Sequence, residues 1–387
     1  MAVRKNFAEY ILTQNFSIMK QQTSATSETR TKVMETIDFK GKTIFVGIDV
    51  HQKNYQVAKI CQGICLGNVS MNADADGLIT HLKKHYPGAY FECVYECCAW
   101  GFNLQRRLTA AGMGCMVVHA ADVSTSDKER KRKTDTVDAL KLARNLASGD
   151  LKAIHVPEES RQKQRNLIRY RSRLVGDITR SKNRIKSLLK FQGIDVPEQF
   201  GSNKHWSRNF LKWIGQQASQ DPLLGDTLGM MLEQLQMLRQ LLLKTERQLR
   251  QLGKENYDSQ IKLITSVPGI GPTTAMLFLL EIGDIKRFKG FDALNDFIGF
   301  CPDTNSSGDT DRVRGITKRR HRRLRTALVE AAWVAIRRDP VLMDNYRELT
   351  KRMTGNRAII RIARKLLRRL RSIMISGIEY QKGVVKV

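Results

Sequence analysis

Four acidic residues stand where their carboxylates can act together. Asp49 closes the apolar run Thr43-Ile-Phe-Val-Gly-Ile-Asp49-Val, Glu96 closes a second run from Ala89, and Asp135 and Asp138 open a helical stretch. A spacing of three puts the last two on one helix face. The first two, at the C-terminal ends of strands, reach one edge of a sheet. Carboxylates gathered in this way repel one another unless cations lie among them. Two magnesium ions so held would activate an attacking oxygen and stabilise a leaving one during phosphodiester cleavage. The chain carries 66 Lys and Arg against 38 Asp and Glu, a formal net charge of +28. A cationic protein that gathers carboxylates is suited to hold divalent metal against a phosphate backbone. The plainer reading keeps all four as ordinary surface acids, with Asp135 a favourable charge at a helix N-terminus.

The elements that must position these residues follow from periodicity. Residues 1–38 are polar, rich in Ser and Thr and without a repeat, and are expected to form a flexible extension. Strands are expected at Thr43 to Val50, Tyr55 to Ile60 and Ile64 to Val69, then a helix from Asp74 to His85. A strand from Ala89 to Glu96, a helix from Phe102 to Ala111 and a strand from Gly114 to His119 complete an α/β sheet. A leading strand meander followed by β–α–β–α is the order of ribonuclease-H-like folds. Beyond about residue 160 the pattern is helical. Arg161 to Lys190 holds eleven Lys and Arg and one acid, Asp177. Its apolar stripe is Ile168, Val175, Ile178, Ile185 and Leu189, and Arg165, Arg169, Arg173, Arg180 and Arg184 line another face, either a solvated surface or a nucleic-acid-binding rail that contacts phosphates. Leu228, Met231, Leu235, Leu238, Leu242, Thr245, Leu249 and Leu252 then form a heptad seam, suited to a helical hairpin packed on itself or to an intermolecular coiled coil. The last third opens on a helix from Ser259 to Val267, the break Pro268-Gly-Ile-Gly-Pro272 and an apolar helix to Ile282. This helix-hairpin-helix pattern grips phosphate through amides near Gly269 and Gly271, or else makes an ordinary helical corner.

A sequence pI near 10.0 points to polyanionic partners. No apolar run reaches the roughly 18 residues needed to span a bilayer. The start of the chain lacks a signal-peptide core, so no membrane partner and a bacterial cytoplasmic, nucleoid-associated location are expected. Seven cysteines without framework spacing fit reduced thiols. Cys61/Cys65 and Cys93/Cys97 have zinc-compatible spacing, but both pairs fall in strand segments, where small buried thiols are commoner.

Gly47-Ile-Asp49-Val, Tyr95-Glu96-Cys-Cys-Ala-Trp-Gly101-Phe and Lys133-Thr-Asp135-Thr-Val-Asp138-Ala-Leu-Lys-Leu-Ala resemble blocks of the DEDD insertion-sequence transposases, the IS-one-ten family. Pro268-Gly-Ile-Gly271, Phe297-Ile-Gly-Phe-Cys-Pro302, Ser306-Ser307-Gly308 and Gly315-Ile-Thr-Lys318 resemble that family's second domain. One departure is Arg320, where the family has glycine after Ile-Thr-Lys-Arg. The resemblance implies a RuvC-like catalytic domain over 39–157, coiled-coil helices over 158–255 and a mostly helical C-terminal transposase domain over 256–387. It implies that Asp49, Glu96, Asp135 and Asp138 are a metal-binding tetrad, and that a serine becomes covalently joined to DNA. Cys301-Pro-Asp-Thr-Asn-Ser306-Ser307-Gly308-Asp reads as a loop by composition; with the resemblance, Ser307, beside the glycine, is the expected nucleophile and Ser306 the alternative, with Arg312 and Arg314 to stabilise the alkoxide. Implied partners are donor and target DNA, an element-encoded guide RNA (the bridge RNA), and further copies of the chain in a dimer or tetramer.

Lys318 to Arg325 reads KRRHRRLR. Lys318, Arg319, Arg322 and Arg323 are expected to contact phosphates, positioning nucleic acid rather than reading bases. Two rivals remain. A RuvC-like junction nuclease would use water and need no serine, and a non-catalytic nucleic-acid-binding protein would use the carboxylates only structurally.

Overall fold

The computed structural model describes residues 38–124, 134–201, 206–218, 221–307 and 310–382. The extension expected over 1–38 lies, Asp38 apart, outside the described residues. The chain divides into two compact units, one ending at Val156 and the next beginning at Pro157.

The first unit is built on a five-stranded mixed sheet of order β3-β2-β1-β4-β5. Its strands are β1 (Thr43–Val50), β2 (Asn54–Cys61), β3 (Ile64–Asn72), β4 (Tyr90–Glu96) and β5 (Gly114–Val118). Short turns make β1, β2 and β3 an antiparallel meander, whereas β4 and β5 run parallel to β1. Each parallel return needs a crossover, supplied by helices α1 (Ala75–His85) and α2 (Asn103–Ala110). Asp74 caps α1, its carboxylate accepting from the amides of Asp76 and Gly77. Alternation along β1 sends Ile44, Val46 and Ile48 into a core with Leu78, Leu82, Leu104 and Leu108 of these helices. The opposite face receives helix α3 (Asp135–Ser148) through Ala139, Ala143 and Leu142.

The second unit opens with two long helices, α4 (Glu159–Phe191) and α6 (Pro222–Asn256), which pair antiparallel. Arg171 meets Glu246 at 2.8 Å, and the Tyr257 hydroxyl donates to Gln164. The heptad seam therefore closes on the chain's own α4, with Leu228, Leu235, Thr245 and Leu249 buried. Along α4 the buried positions include Leu174, whereas Val175, expected on the apolar stripe, is exposed. The helix serves two cores, and its buried side shifts between them. Toward residue 189 it joins Phe200, Phe210 and Trp213, the last two stacked at 5.6 Å, from the turn and helix α5 (Arg208–Ala218). Toward residue 168 it enters the C-terminal core, which Ile168 and Leu249 share with Leu280, Leu328, Ile362 and Leu366. The expected boundary near residue 255 is thus continuous in packing.

That C-terminal core is formed by α7 (Asp258–Thr265), α8 (Pro272–Ile282), α9 (Phe291–Ile298), α10 (Arg322–Ala335), α11 (Pro340–Thr350) and α12 (Gly355–Ser376). A two-stranded hairpin, β6 (Pro302–Ser307) and β7 (Thr310–Ile316), precedes α10. Within the core, Glu281 of α8 is fully buried and ionised. It is bound by Arg169 at 2.7 Å, Arg165 at 2.9 Å and His321 at 3.2 Å. Burial alone would raise its pKa, but hydrogen bonds from Arg169 and His321 and the charges of Arg165 and Arg169 hold it well below the carboxylate range. A carboxyl depressed in this way stabilises the fold above its unfolded pKa of about 4.5, and the contribution is lost as pH falls below that.

Replacing Glu281 with Gln strands two arginines in the interior and is expected to cost about 3–5 kcal/mol. Urea unfolding of the two proteins at pH 7 checks the value, and the gap between them should narrow at acid pH.

Candidate active site

Helix α3 decides the geometry of the acidic edge. At Gly47 of β1 an added Cβ would lie 2.1 Å from the carbonyl oxygen of Ala139 and 2.4 Å from the amide nitrogen of Ala143. The helix backbone therefore lies directly on the strand, and a glycine is required for that approach. Thr134 caps the helix, its hydroxyl accepting from the Val137 amide at 3.4 Å. Asn68 of β3 donates to the Thr136 carbonyl at 2.9 Å and ties the same terminus to the sheet. The first turn of α3, with Asp135 and Asp138, is thereby held at the end of β1.

The structure brings Asp49 and Asp135 together, and His51 joins them. His51 Nε2 lies 3.1 Å from Asp49 Oδ2 and 3.3 Å from Asp135 Oδ2. One ligand atom from each of the three residues falls within 4.8 Å of the others. Asp138 is paired instead with Lys141, whose ammonium donates at 3.1 Å and is nearly buried. Glu96 follows Tyr95, which pairs with Ile48, so Glu96 closes β4 beside Asp49 at the same end of adjacent parallel strands. Asp49 has a raised pKa. Burial is the main cause; His51 opposes it, and the negative charges of Asp135 and Asp138 add to it. An oxygen and nitrogen donor set this close, with one carboxyl resisting ionisation, fits a divalent cation.

Sequence reasoning did not single out His51 or Lys141. The Asp-x-His spacing and a lysine three residues after Asp138 were the available signals. Among the described residues no cysteine joins a metal-ligating group, and all seven cysteines are free thiols.

The other expected residues are distributed over the second unit. The segment expected as a loop around Ser306 and Ser307 is a strand, because Pro302–Ser307 finds a backbone partner in Thr310–Ile316. Ser307 pairs with Thr310, Ser306 with Asp311, and Arg312 with Asn305, while Arg314 lies further along β7. Arg165 and Arg169, expected on a phosphate-binding face, turn inward to Glu281, because a buried carboxylate binds them more closely than a solvated anion would. Arg173, Arg180 and Arg184 are exposed on α4, with Arg180 paired to Asp177. Arg323 has a lowered pKa, from burial first and then from the charges of Arg169, Arg173 and Arg322, against the opposing charge of Glu281. Lys318, Arg319 and Arg322 are exposed just before and at the start of α10. Gly269 has φ +86, and an added Cβ there would meet the Ala331 carbonyl at 2.2 Å. Its glycine requirement is therefore a packing contact with α10. Gly271 is exposed at the N-terminus of α8. Arg320 lies among residues with ordinary negative φ, so the backbone accepts a side chain where the family has glycine.

The first unit carries an acidic edge on a mixed sheet, and the second is helical and rich in arginine. Comparison with known proteins identifies the family. Residues 46–192 match the DEDD family model described as "Transposase", and residues 261–347 match the "Transposase IS116/IS110/IS902 family". The transposase for insertion sequence element IS1533 of Leptospira borgpetersenii is 24% identical over 304 residues, 76% of this chain and 85% of its own length. The transposase for insertion sequence element IS1111A of Coxiella burnetii is 26% identical over 276 residues, 70% of this chain and 74% of its own. The chain belongs to the DEDD insertion-sequence transposases. No helix among the described residues is long and apolar enough to cross a membrane.

Two substitutions separate packing from charge. Gly47→Ala forces α3 off the sheet and is expected to cost about 3 kcal/mol, at the upper end of overpacking effects. Asp49→Asn acts in the opposite direction. A carboxyl with a raised folded pKa loses stability as pH rises through that pKa, so at neutral pH the amide should melt higher than the metal-free parent. Added divalent metal should raise the melting temperature of the parent and leave Asp49→Asn unchanged, as differential scanning fluorimetry would record.

Proposed function

We propose that this protein is the transposase of an insertion element, a site-specific recombinase that cuts and rejoins DNA through a covalent serine–DNA linkage. The observation that carries the reading is the convergence of Asp49 and Asp135 at one sheet edge, with Glu96 and Asp138 on the elements that flank them. The strand order supports a ribonuclease-H- or RuvC-like fold for the first unit. The turn between α7 and α8 supports a helix-hairpin-helix in the second. Magnesium is the proposed metal, with two ions per site when DNA is bound; it would polarise the scissile phosphate and offset charge at the departing oxygen.

The chain's own residues do the rest. Asp49, Glu96, Asp135 and Asp138 hold and orient the cations. Ser307 attacks phosphorus, with Ser306 the alternative. A serine O–P bond forms, the P–O bond to one strand end breaks, and that end leaves as a hydroxyl after taking up a proton. Strand transfer reverses the chemistry on a new end, so no external energy source is required. Arg173, Arg180, Arg184, Arg312, Arg314, Lys318, Arg319, Arg322 and Arg323 are proposed to bind donor and target DNA and an element-encoded guide RNA. The chain is proposed to act as a dimer or tetramer. Affinity for duplex DNA should then fall by about 0.9 log units per log unit of salt for each phosphate contacted.

A denaturing gel tests the proposal. Purified protein, magnesium, labelled donor and target DNA and RNA transcribed from the element's flanks would be combined. Wild type should give a labelled protein–DNA adduct that Ser307→Ala and Asp49→Ala both lose. Loss in Ser306→Ala in place of Ser307→Ala would move the nucleophile by one residue. Cleavage without an adduct, unchanged by either serine substitution, would instead establish a hydrolytic nuclease.

A further inference from the structure

The two halves of the acidic edge are chemically unequal. On one side, the imidazole of His51 sits between Asp49 and Asp135, at 3.1 and 3.3 Å. On the other, the Lys141 ammonium takes an oxygen of Asp138 at 3.1 Å, with a side chain only 10% exposed. Four carboxylates alone would make an all-oxygen site, suited to magnesium. A nitrogen donor changes that preference, because imidazole binds the later and softer divalent ions better than it binds magnesium. A fixed ammonium has the opposite effect on its side: it already neutralises Asp138 and competes with an incoming ion.

The geometry points to a DNA-free protein that binds one divalent ion tightly, on Asp49, His51 and Asp135, with manganese(II) preferred over magnesium through His51. Lys141 holds the second position, beside Asp138, closed until substrate phosphate helps to draw an ion in. This inference rests on the metal-dependent reading above and concerns which residues set the number and kind of ions.

The test counts ions without using activity. Full-length, metal-free protein would be titrated with manganese(II), with free ion followed by electron paramagnetic resonance and magnesium used as competitor. One tight equivalent is expected for wild type. His51→Ala should weaken manganese binding by about tenfold or more and magnesium binding by much less. Lys141→Met should bind two equivalents. Pulsed measurements should show nitrogen modulation from the bound manganese in wild type, lost in His51→Ala, a signature that a merely destabilised fold would not give. Wild-type protein that binds two equal ions, or one without nitrogen modulation, would overturn the inference. Asp49→Asn distinguishes the levels. If it retains full binding, the metal reading of the acidic edge itself fails; if it abolishes binding while His51→Ala does not alter manganese affinity, only the role of His51 fails.

Discussion

The close approach of α3 to β1 is the constraint on which the acidic edge depends. Backbone meets backbone at Gly47, with Ala139 and Ala143 the small residues on the helix side. A side chain added at Gly47 would meet the helix backbone and push it from the strand. The position of Asp135 beside Asp49 is therefore a packing result first and an electrostatic one second. Electrostatics opposes it in part: burial is the main cause of the raised pKa of Asp49, His51 counters it, and the charges of Asp135 and Asp138 add to it. The apolar contact of α3 holds together charges that would otherwise separate, and the strain is relieved by whatever cation enters.

The second unit solves the converse problem. There the excess charge is positive, and part of it is internal. Arg165 and Arg169 bind Glu281, Arg369 binds the buried Asp339, and Arg325 donates to the carbonyls of Gly299 and Thr317. Arg287 stacks on Phe288 and Phe297, with its pKa lowered to about 10, burial being the main cause. Arg325 ties the start of α10 to the end of α9 and to the residue after β7, while Arg369 joins α12 to the start of α11. His321 joins both functions, since it caps α10 through Nδ1 and reaches Glu281 through Nε2. The exposed cations of the KRRHRR run are thus presented from a rigidly tied helix start rather than from a loose tail.

Much of the first unit was legible because its signals are local. Each expected strand of the sheet lies within a few residues of the observed one, since short apolar runs bounded by Gly and polar turns have few other solutions. The acidic positions were legible for the same reason, at strand ends and in a helix first turn. What the sequence did not reveal depends on contacts between distant segments. Arg165 and Arg169 share helical spacing with Arg173, and nothing local tells an arginine facing solvent from one facing Glu281, more than a hundred residues later. The heptad seam was ambiguous between self and partner until α4 was seen to cover it. Composition misled at Pro302–Ser307, where polar residues suggested a loop and strand pairing overrode them.

His51 shows why a site is harder to read than a fold. Alone, Asp-x-His at a strand end is a common pair of polar residues, and a lysine one turn after an aspartate is a common helix pair. Their meaning comes from α3, which crosses the sheet so that its first turn faces the end of β1. Once Asp135 is fixed there, the imidazole between two carboxylates is a ligand or a bridge, and the ammonium on Asp138 is a counterion in a nearly closed place. The same side chains on an open surface would be screened and nearly neutral in effect. Here Lys141 is nearly buried against Asp138, and the close approach of α3 at Gly47 decides which of these groups meet.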